Sequence, residues 1–342
     1  MLRQPDCHRV HQSCWLERVD PHVRLLVVIV NFRTAPLVID CLRSLDQPMR
    51  EIPGAKAVVT DNASGDDSVD VISKAITDNR WSEWAQMIPL ESNGGFAWGN
   101  NKAIEPALAS NDPPEFVLLL NPDTIVRPGA ISSLLSFMEA HPQVGIAGSR
   151  LEHLDGSPQR SAFRFHSVLS ELESGFRLGF LSRVLSRSVV APPAPQEACQ
   201  TDWVAGASMM IRKEVFDAIG LLDDKYFMYF EEVDFCLRAQ RAGWSCWYVP
   251  QSRVVHLVGQ SSGVTDVKQS RKRRPAYWFE SRRRYFRKNL GRVRTLLADL
   301  AWSGGYAVYR LRRLIWRKPD ADPQYFLRDF VRYNLLGALK QP

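Results

Sequence analysis

The chain has 342 residues and a mass of 38.9 kDa, with 45% hydrophobic and 24% charged residues. That composition excludes a disordered chain, a collagen-like fibre and a disulfide-dense miniprotein, and the length suffices for a full core. The net charge of +7 is uneven: residues 266–342 hold 20 Lys and Arg against 6 Asp and Glu, while the rest holds 24 against 31.

At the N-terminus, Cys7, His8, His11 and Cys14 fall within eight residues. Their spacing matches no common zinc module, so residues 1–22 read as a poorly ordered tail before they read as a metal site. No secretory signal and no bilayer-length apolar run is visible. The scattered cysteines suit a reducing cytoplasm.

Leu25–Val30 reads as a buried strand, followed by a helix over 35–46 with Leu37, Val38, Cys41, Leu42 and Leu45 at helical spacing. Residues 57–60 form a second strand that breaks at the turn cluster 61–65, and Val69, Ile72, Ala75 and Ile76 mark a second helix. A strand over 87–90 precedes a glycine-rich loop over 93–99 and a helix near 100–109. Phe116–Leu120 reads as a strand buried on both faces, then come a helix near 128–140 and a strand over 144–147. Residues 182–200 read as a proline-marked linker. Strands are expected over 203–211, 246–249 and 253–255, and helices from 213 and over 231–242. Strand–helix alternation predicts an α/β fold with a mainly parallel central sheet, whose ligands bind beyond the carboxyl ends of the strands. Asn31, Asp61, Asn93 and Asp123 all fall at such ends.

Four sets of residues could carry chemistry. Asp123 ends an apolar strand, where a carboxylate is rigidly placed for a hard divalent cation or simply caps the next turn. His256 ends another extended run and could join the same metal or sit as a core histidine. The segment 93–101 can bring backbone N–H groups to an anion at a helix start, though it is neither a P-loop nor GxGxxG. In Glu231-Glu232-Val233-Asp234, behind the aromatic run 226–230, a carboxylate beside apolar walls is suited to general-base work. Asp234 also has Arg238 at i+4 for a plain helix ion pair, whereas Glu232 has no basic residue at i+3 or i+4.

These motifs form an ordered set: Val-Ile-Val-Asn-Phe (28–32), Asp-Asn-Ala-Ser (61–64), Asn-Gly-Gly-Phe-Ala-Trp-Gly-Asn-Asn (93–101), Leu-Asn-Pro-Asp (120–123), Gly-Ala-Ser-Met-Met-Ile-Arg (206–212), the run 226–238 and Val-Val-His (254–256). The set resembles the family 2 inverting glycosyltransferases of the GT-A fold, most closely their rhamnosyltransferase-like subgroup, over residues 24–262. The resemblance implies a GT-A domain over 23–265, with a nucleotide-binding half (23–125) and an acceptor half (126–265). It implies transfer from a nucleoside-diphosphate sugar, with Mg²⁺ or Mn²⁺, to a cell-surface polysaccharide or lipid-linked glycan. The subgroup leans towards dTDP-rhamnose, and UDP-hexoses fit the same motifs. Asn31, Phe32, Asp61, Asn93, Gly95, Phe96, Asn100 and Asn121 would line the nucleotide sugar. Asp123 and His256 would hold the metal, with Asn121 standing where the family has the first Asp of its DxD motif. Glu232 stands at the base position, with Asp234 in reserve.

Residues 266–342 interleave cations with aromatics and read as a basic amphipathic helical extension. The composition suits an anionic membrane surface, placing the protein at the inner face of the cytoplasmic membrane. An ordinary solvated tail is the next reading, and nucleic acid is the least favoured. A sugar-nucleotide nucleotidyltransferase would need a basic glycine-rich loop near the N-terminus, and none is present.

Overall fold

A computed structural model describes residues 22–257 and 272–337. The Cys7–Cys14 cluster lies outside them, as does the start of the basic run at Arg271. In chain order the first half holds β1 (Leu25–Asn31), α1 (Ala35–Glu51), β2 (Ala55–Asp61), α2 (Ser68–Asp78), β3 (Ala85–Pro89), α3 (Gly95–Leu108), β4 (Phe116–Leu120), β5 (Thr124–Val126), α4 (Ala130–Ala140) and β6 (Val144–Glu152). The second half holds β7 (Ala162–Phe163), α5 (Val168–Phe176), α6 (Gly179–Val184), β8 (Cys199–Thr201), β9 (Trp203–Val204), β10 (Ser208–Arg212), α7 (Lys213–Ile219), α8 (Glu231–Arg241), β11 (Ser245–His256), α9 (Ala276–Ile315) and α10 (Phe326–Phe330).

The main sheet runs β3-β2-β1-β4-β10-β6-β11-β5, with β8 also on β11. Pairing is parallel from β3 through β4 and again between β6 and β11, while β10, β5 and β8 are antiparallel to their neighbours. The expected α/β sheet is therefore present, with six of its nine strands pointing the same way and its eight pairings divided evenly between parallel and antiparallel. Every residue of β1 is buried. Leu25, Val27 and Ile29 join one apolar layer with α1, α2 and α4, and Leu26 and Val28 join the other with α3 and α8. Burial on both faces is why this strand reads as an unbroken apolar run.

Three stretches differ from the sequence-based expectation. The glycine-rich segment is largely helix: α3 already starts at Gly95. Its small residues let the helix press on the sheet, since a Cβ on Gly99 would meet Asn62 and Val30 side-chain atoms within 3 Å. The expected strand over 203–211 is two strands in different sheets, β9 pairing with β7 and β10 with β4 and β6. The expected linker over 182–200 holds the end of α6 and the start of β8, so regular structure resumes at Cys199 rather than at Trp203.

The C-terminal helix α9 kinks at Gly291, whose φ of 78° is outside the helical region. Before the kink, Phe279, Tyr285 and Phe286 are fully buried. Arg282, also buried, donates to Glu171 of α5 (2.8 Å) and to Asp299 (2.5 Å). Burial alone would push the Glu171 carboxyl up, but Arg282 and His166 outweigh it and hold it at about 2. Among the described residues no helix is long and apolar enough to cross a membrane, and Cys41, Cys199, Cys236 and Cys246 are free thiols.

Candidate active site

The sheet ends in a cleft of about 450 Å³. One wall is Phe32 after β1, with Asn62, Asn93, Gly95 and Phe96. Asn121, Pro122 and Asp123 after β4 and His256 at the end of β11 form the floor. The opposite side is 205–207, Phe227, Tyr229, Glu231 and Glu232, and α9 contributes Tyr277. The break between β9 and β10 thus has a purpose in the geometry: it lays residues 205–207 along the cleft as open backbone.

Asp123 is 1% exposed, and its Oδ1 lies 3.5 Å from His256 Nε2. Asn121 Nδ2 approaches the same nitrogen at 3.5 Å. The antiparallel pairing of His256 with Thr124 brings these three together. A carboxylate and an imidazole are donors for a divalent cation, but an incomplete set: Asn121 turns its Nδ2 to them, and among the described residues no three His, Cys, Asp or Glu cluster to hold an ion. Mg²⁺ and Mn²⁺ sites of this kind are completed by substrate phosphate oxygens and water. The charge balance of the cleft agrees. Among the described residues it is lined by Asp123, Glu231 and Glu232 and by no lysine or arginine, a lining suited to a cation.

The two glutamates open α8. Tyr229 and Phe230 ahead of them both have φ near 70°, a left-handed pair that turns the aromatic run sharply into the helix. Glu231 is 4% exposed, and neither its Oε2 nor that of Glu232 has a hydrogen-bond partner among the described residues. Burial pushes the Glu232 carboxyl up to about 7, against a smaller opposing pull from first-turn backbone N–H groups. Burial, and then the neighbouring Glu232 charge, raise Glu231 well above the usual carboxylate range.

Asp234 is placed differently. It is fully buried and does not line the cleft. Its carboxylate accepts from Arg238 Nε (3.0 Å), Lys288 Nζ (2.8 Å) and Asn289 Nδ2 (2.9 Å). The i+4 ion pair anticipated from the sequence is formed, α9 adds two more donors, and the Tyr226 hydroxyl a fourth at 3.3 Å.

Asn31 and Asp61 are also buried behind the wall. Asn31 Nδ2 donates to Asp61 Oδ1 (2.7 Å), while Asp61 Oδ2 accepts from the Ser64 amide (2.9 Å). Asn31 in turn accepts from Thr34. The pair fixes the loops after β1 and β2 in register with each other. Asn93 Oδ1 caps the Gly95 amide at 3.0 Å. Gly95 has φ +89°, and a Cβ there would sit 1.8 Å from the Phe227 carbonyl oxygen. That same carbonyl accepts from the Phe96 amide (2.8 Å), so α3 and the aromatic run are clamped face to face. Asn100 is buried, donating to the Phe96 carbonyl, and does not reach the cleft.

Glu231, Asn62, Tyr229 and Tyr277 line the cleft without having been singled out from the sequence. Glu231 and Tyr229 lay inside the recognised run. Tyr277 carries no local signal, because it comes from a helix beyond the last motif. No residue of 151–200 lines this cleft.

The profile of the family described as "Glycosyltransferase like family 2" matches residues 21–290. The chain belongs to the family 2 glycosyltransferases. Among curated relatives of this transferase, the N-acetylglucosaminyl-diphospho-decaprenol L-rhamnosyltransferase of Mycobacterium tuberculosis H37Rv is 29% identical over 189 residues, 52% of this chain and 60% of that protein. The rhamnosyltransferase WbbL of Escherichia coli K12 is 27% identical over 164 residues, covering 47% of this chain and 60% of that one. The matches thus span less than two thirds of each relative's length. Among solved structures, the mannosyltransferase PcManGT from Pyrobaculum calidifontis, in complex with GDP-Man and Mn²⁺, superposes with a TM-score of 0.54 at 13% identity, covering 96% of this chain and 86% of that one. The likeness fixes the fold as GT-A, with a C-terminal helix added.

Proposed function

We propose that this transferase moves rhamnose from dTDP-rhamnose, with inversion, to a hydroxyl of a lipid-linked or cell-surface glycan acceptor. The observation that carries the reading is the cleft itself. Among the described residues three carboxylates and no lysine or arginine line it, and one carboxylate oxygen of Glu232 is buried without a partner. Asp123 and His256, beside Asn121, are the residues to hold a divalent ion. A bound Mg²⁺ or Mn²⁺ supplies neutralisation of charge on the departing diphosphate.

Glu232 is assigned the general base. Its carboxylate takes the proton of the acceptor hydroxyl while that oxygen bonds to the anomeric carbon, and the bond from that carbon to the diphosphate oxygen breaks. Attack from the face opposite the leaving group inverts the configuration, and no sugar–enzyme bond forms. Phe32, Asn93, Gly95 and Phe96 form the wall against which the donor would lie. Asn31, Asp61 and Asn100 support these loops from behind. Support for rhamnose comes from the names of the curated relatives, and a UDP-hexose donor is the competing specificity.

The test is a donor panel on the purified full chain with Mg²⁺, Mn²⁺ or EDTA. It follows transfer to an N-acetylglucosaminyl-diphospho-polyprenol and the anomeric configuration of the product by NMR. Transfer from dTDP-rhamnose alone, lost with EDTA and in Asp123→Ala, is the expected result. Transfer only from UDP-sugars would move the donor assignment, and retention of configuration would remove the single-displacement mechanism.

A further inference from the structure

Beyond Gly291, α9 is apolar on two opposite faces. At 100° per residue, Thr295, Ala298, Trp302, Gly305 and Tyr306 fall on one side, and all are buried. Diametrically opposite run Val293, Leu297, Leu300, Val308, Leu311 and Ile315. Every residue within roughly 60° of that line is Val, Leu, Ile, Ala or Gly, and every one is exposed. Val293 is 74%, Leu311 60% and Ile315 69% exposed. The stripe is about 33 Å long at the helical rise. A helix facing water carries polar residues on that side, and this one carries none. It is not a span either, since no described helix is apolar enough to cross a bilayer.

The surroundings of the stripe indicate what covers it. Arg292 lies along one margin and Arg294 along the other, both exposed and each about 100° from the midline. Arg310 and Arg312 follow on the same two lines but are half-buried, Arg310 pairing with Asp320 (3.1 Å) and Arg312 donating to the Phe176 and Arg177 carbonyls. Exposed Trp316, Arg317 and Lys318 close the far end. From 291 to 318 the only acid is Asp299, which is buried on Arg282. Beside the first half of the same helix lies a groove of about 900 Å³ whose charged lining is Glu280, Arg283, Arg287 and Arg332, with Arg284 and Lys288 paired to Asp223. A second copy laid on the stripe would set arginine margins against arginine margins. An anionic surface with an apolar interior answers both features.

We propose that the second half of α9 lies in the headgroup–acyl boundary of an anionic lipid bilayer, with the stripe inward and the marginal arginines on lipid phosphates. The proposal deepens the reading above by giving the place where a lipid-linked acceptor is met. The docking itself does not depend on the donor. The helix that carries the stripe also supplies Tyr277 to the cleft, so one element joins the membrane surface to the site.

The experiment is flotation of the full chain with phosphatidylglycerol vesicles and with phosphatidylcholine vesicles, together with sedimentation to read oligomeric state and slow donor hydrolysis in the absence of vesicles. The chain should float with phosphatidylglycerol and not with phosphatidylcholine. Leu297→Asp, Leu300→Asp and Leu311→Asp combined should reduce partition about tenfold or more, with donor hydrolysis unchanged because none of the three lies at the cleft. Arg292→Glu with Arg294→Glu should weaken binding most at low salt. Failure of the wild type to float, or flotation of the triple variant like the wild type, would overturn the proposal. So would a dimer that the triple variant abolishes while vesicles stay unbound. Flotation without any hydrolysis or transfer would leave the docking standing and remove the transferase reading.

Discussion

Glu232 and Asp234 stand two residues apart on α8, yet their surroundings give them opposite characters. Glu232 faces the cleft with an unpartnered oxygen, and burial raises its carboxyl to about 7 from an ordinary 4.5. A base must be ionised to accept a proton, so turnover should climb with pH through about 7, and Glu232→Gln should lose transfer by about 10²-fold or more. Stability runs the other way. Between about 4.5 and 7 the folded chain keeps a proton that the unfolded chain has released, so this group's contribution to stability falls as pH rises across that window. Glu232→Gln should therefore melt higher than the wild type at pH 8, as read by calorimetry. Asp234→Asn should do the reverse, costing about 3 kcal/mol by leaving Lys288 and Arg238 facing a neutral group. A melting-temperature series separates the two roles without an activity assay. The sequence could rank these acids only by their helical neighbours. What distinguishes them is Lys288 and Asn289, more than fifty residues further on, which no local pattern ties to Asp234.

The elements legible in the sequence are those whose burial has a simple period. The unbroken runs of β1, β2 and β4 come from burial on both faces, and the core-facing spacing of α1 and α2 is plain. Two- and three-residue strands such as β5, β7 and β9 have no period to show. The start of α3 was hidden for another reason. Its glycines look like a loop, but they are there because backbone must approach backbone. Gly95→Ala tests this: a Cβ at 1.8 Å from the Phe227 carbonyl forces α3 away from the aromatic run that precedes Glu231. The expected outcome is a loss of donor affinity together with a lower melting temperature, measured by donor titration and thermal unfolding. An unchanged Gly95→Ala enzyme would show that the α3 clamp is not needed for the cleft.

The boundary expected at 265 lies outside the described residues. The family match continues to residue 290. Phe279, Tyr285 and Phe286 of α9 are fully buried, and Arg284 and Lys288 both reach Asp223 of the body. A chain ended at 265 should therefore bind hydrophobic dye and lose its near-ultraviolet circular dichroism, whereas a chain ended after 290 should keep more of both native signals. The basic character of this region was visible from composition, but its division was not. Some of its cations are internal fastenings, and others remain on the surface around the stripe of α9. The unpartnered acids at the head of α8 have a further consequence for the molecule's life in a cell. One carboxylate oxygen of each of Glu231 and Glu232 is buried without a partner among the described residues, so a ligand that neutralises them would add its binding free energy to the fold. Abundance then follows supply: when donor runs short, quality-control proteases meet more opened chains, and the cell's stock of the enzyme shrinks without any change in its synthesis.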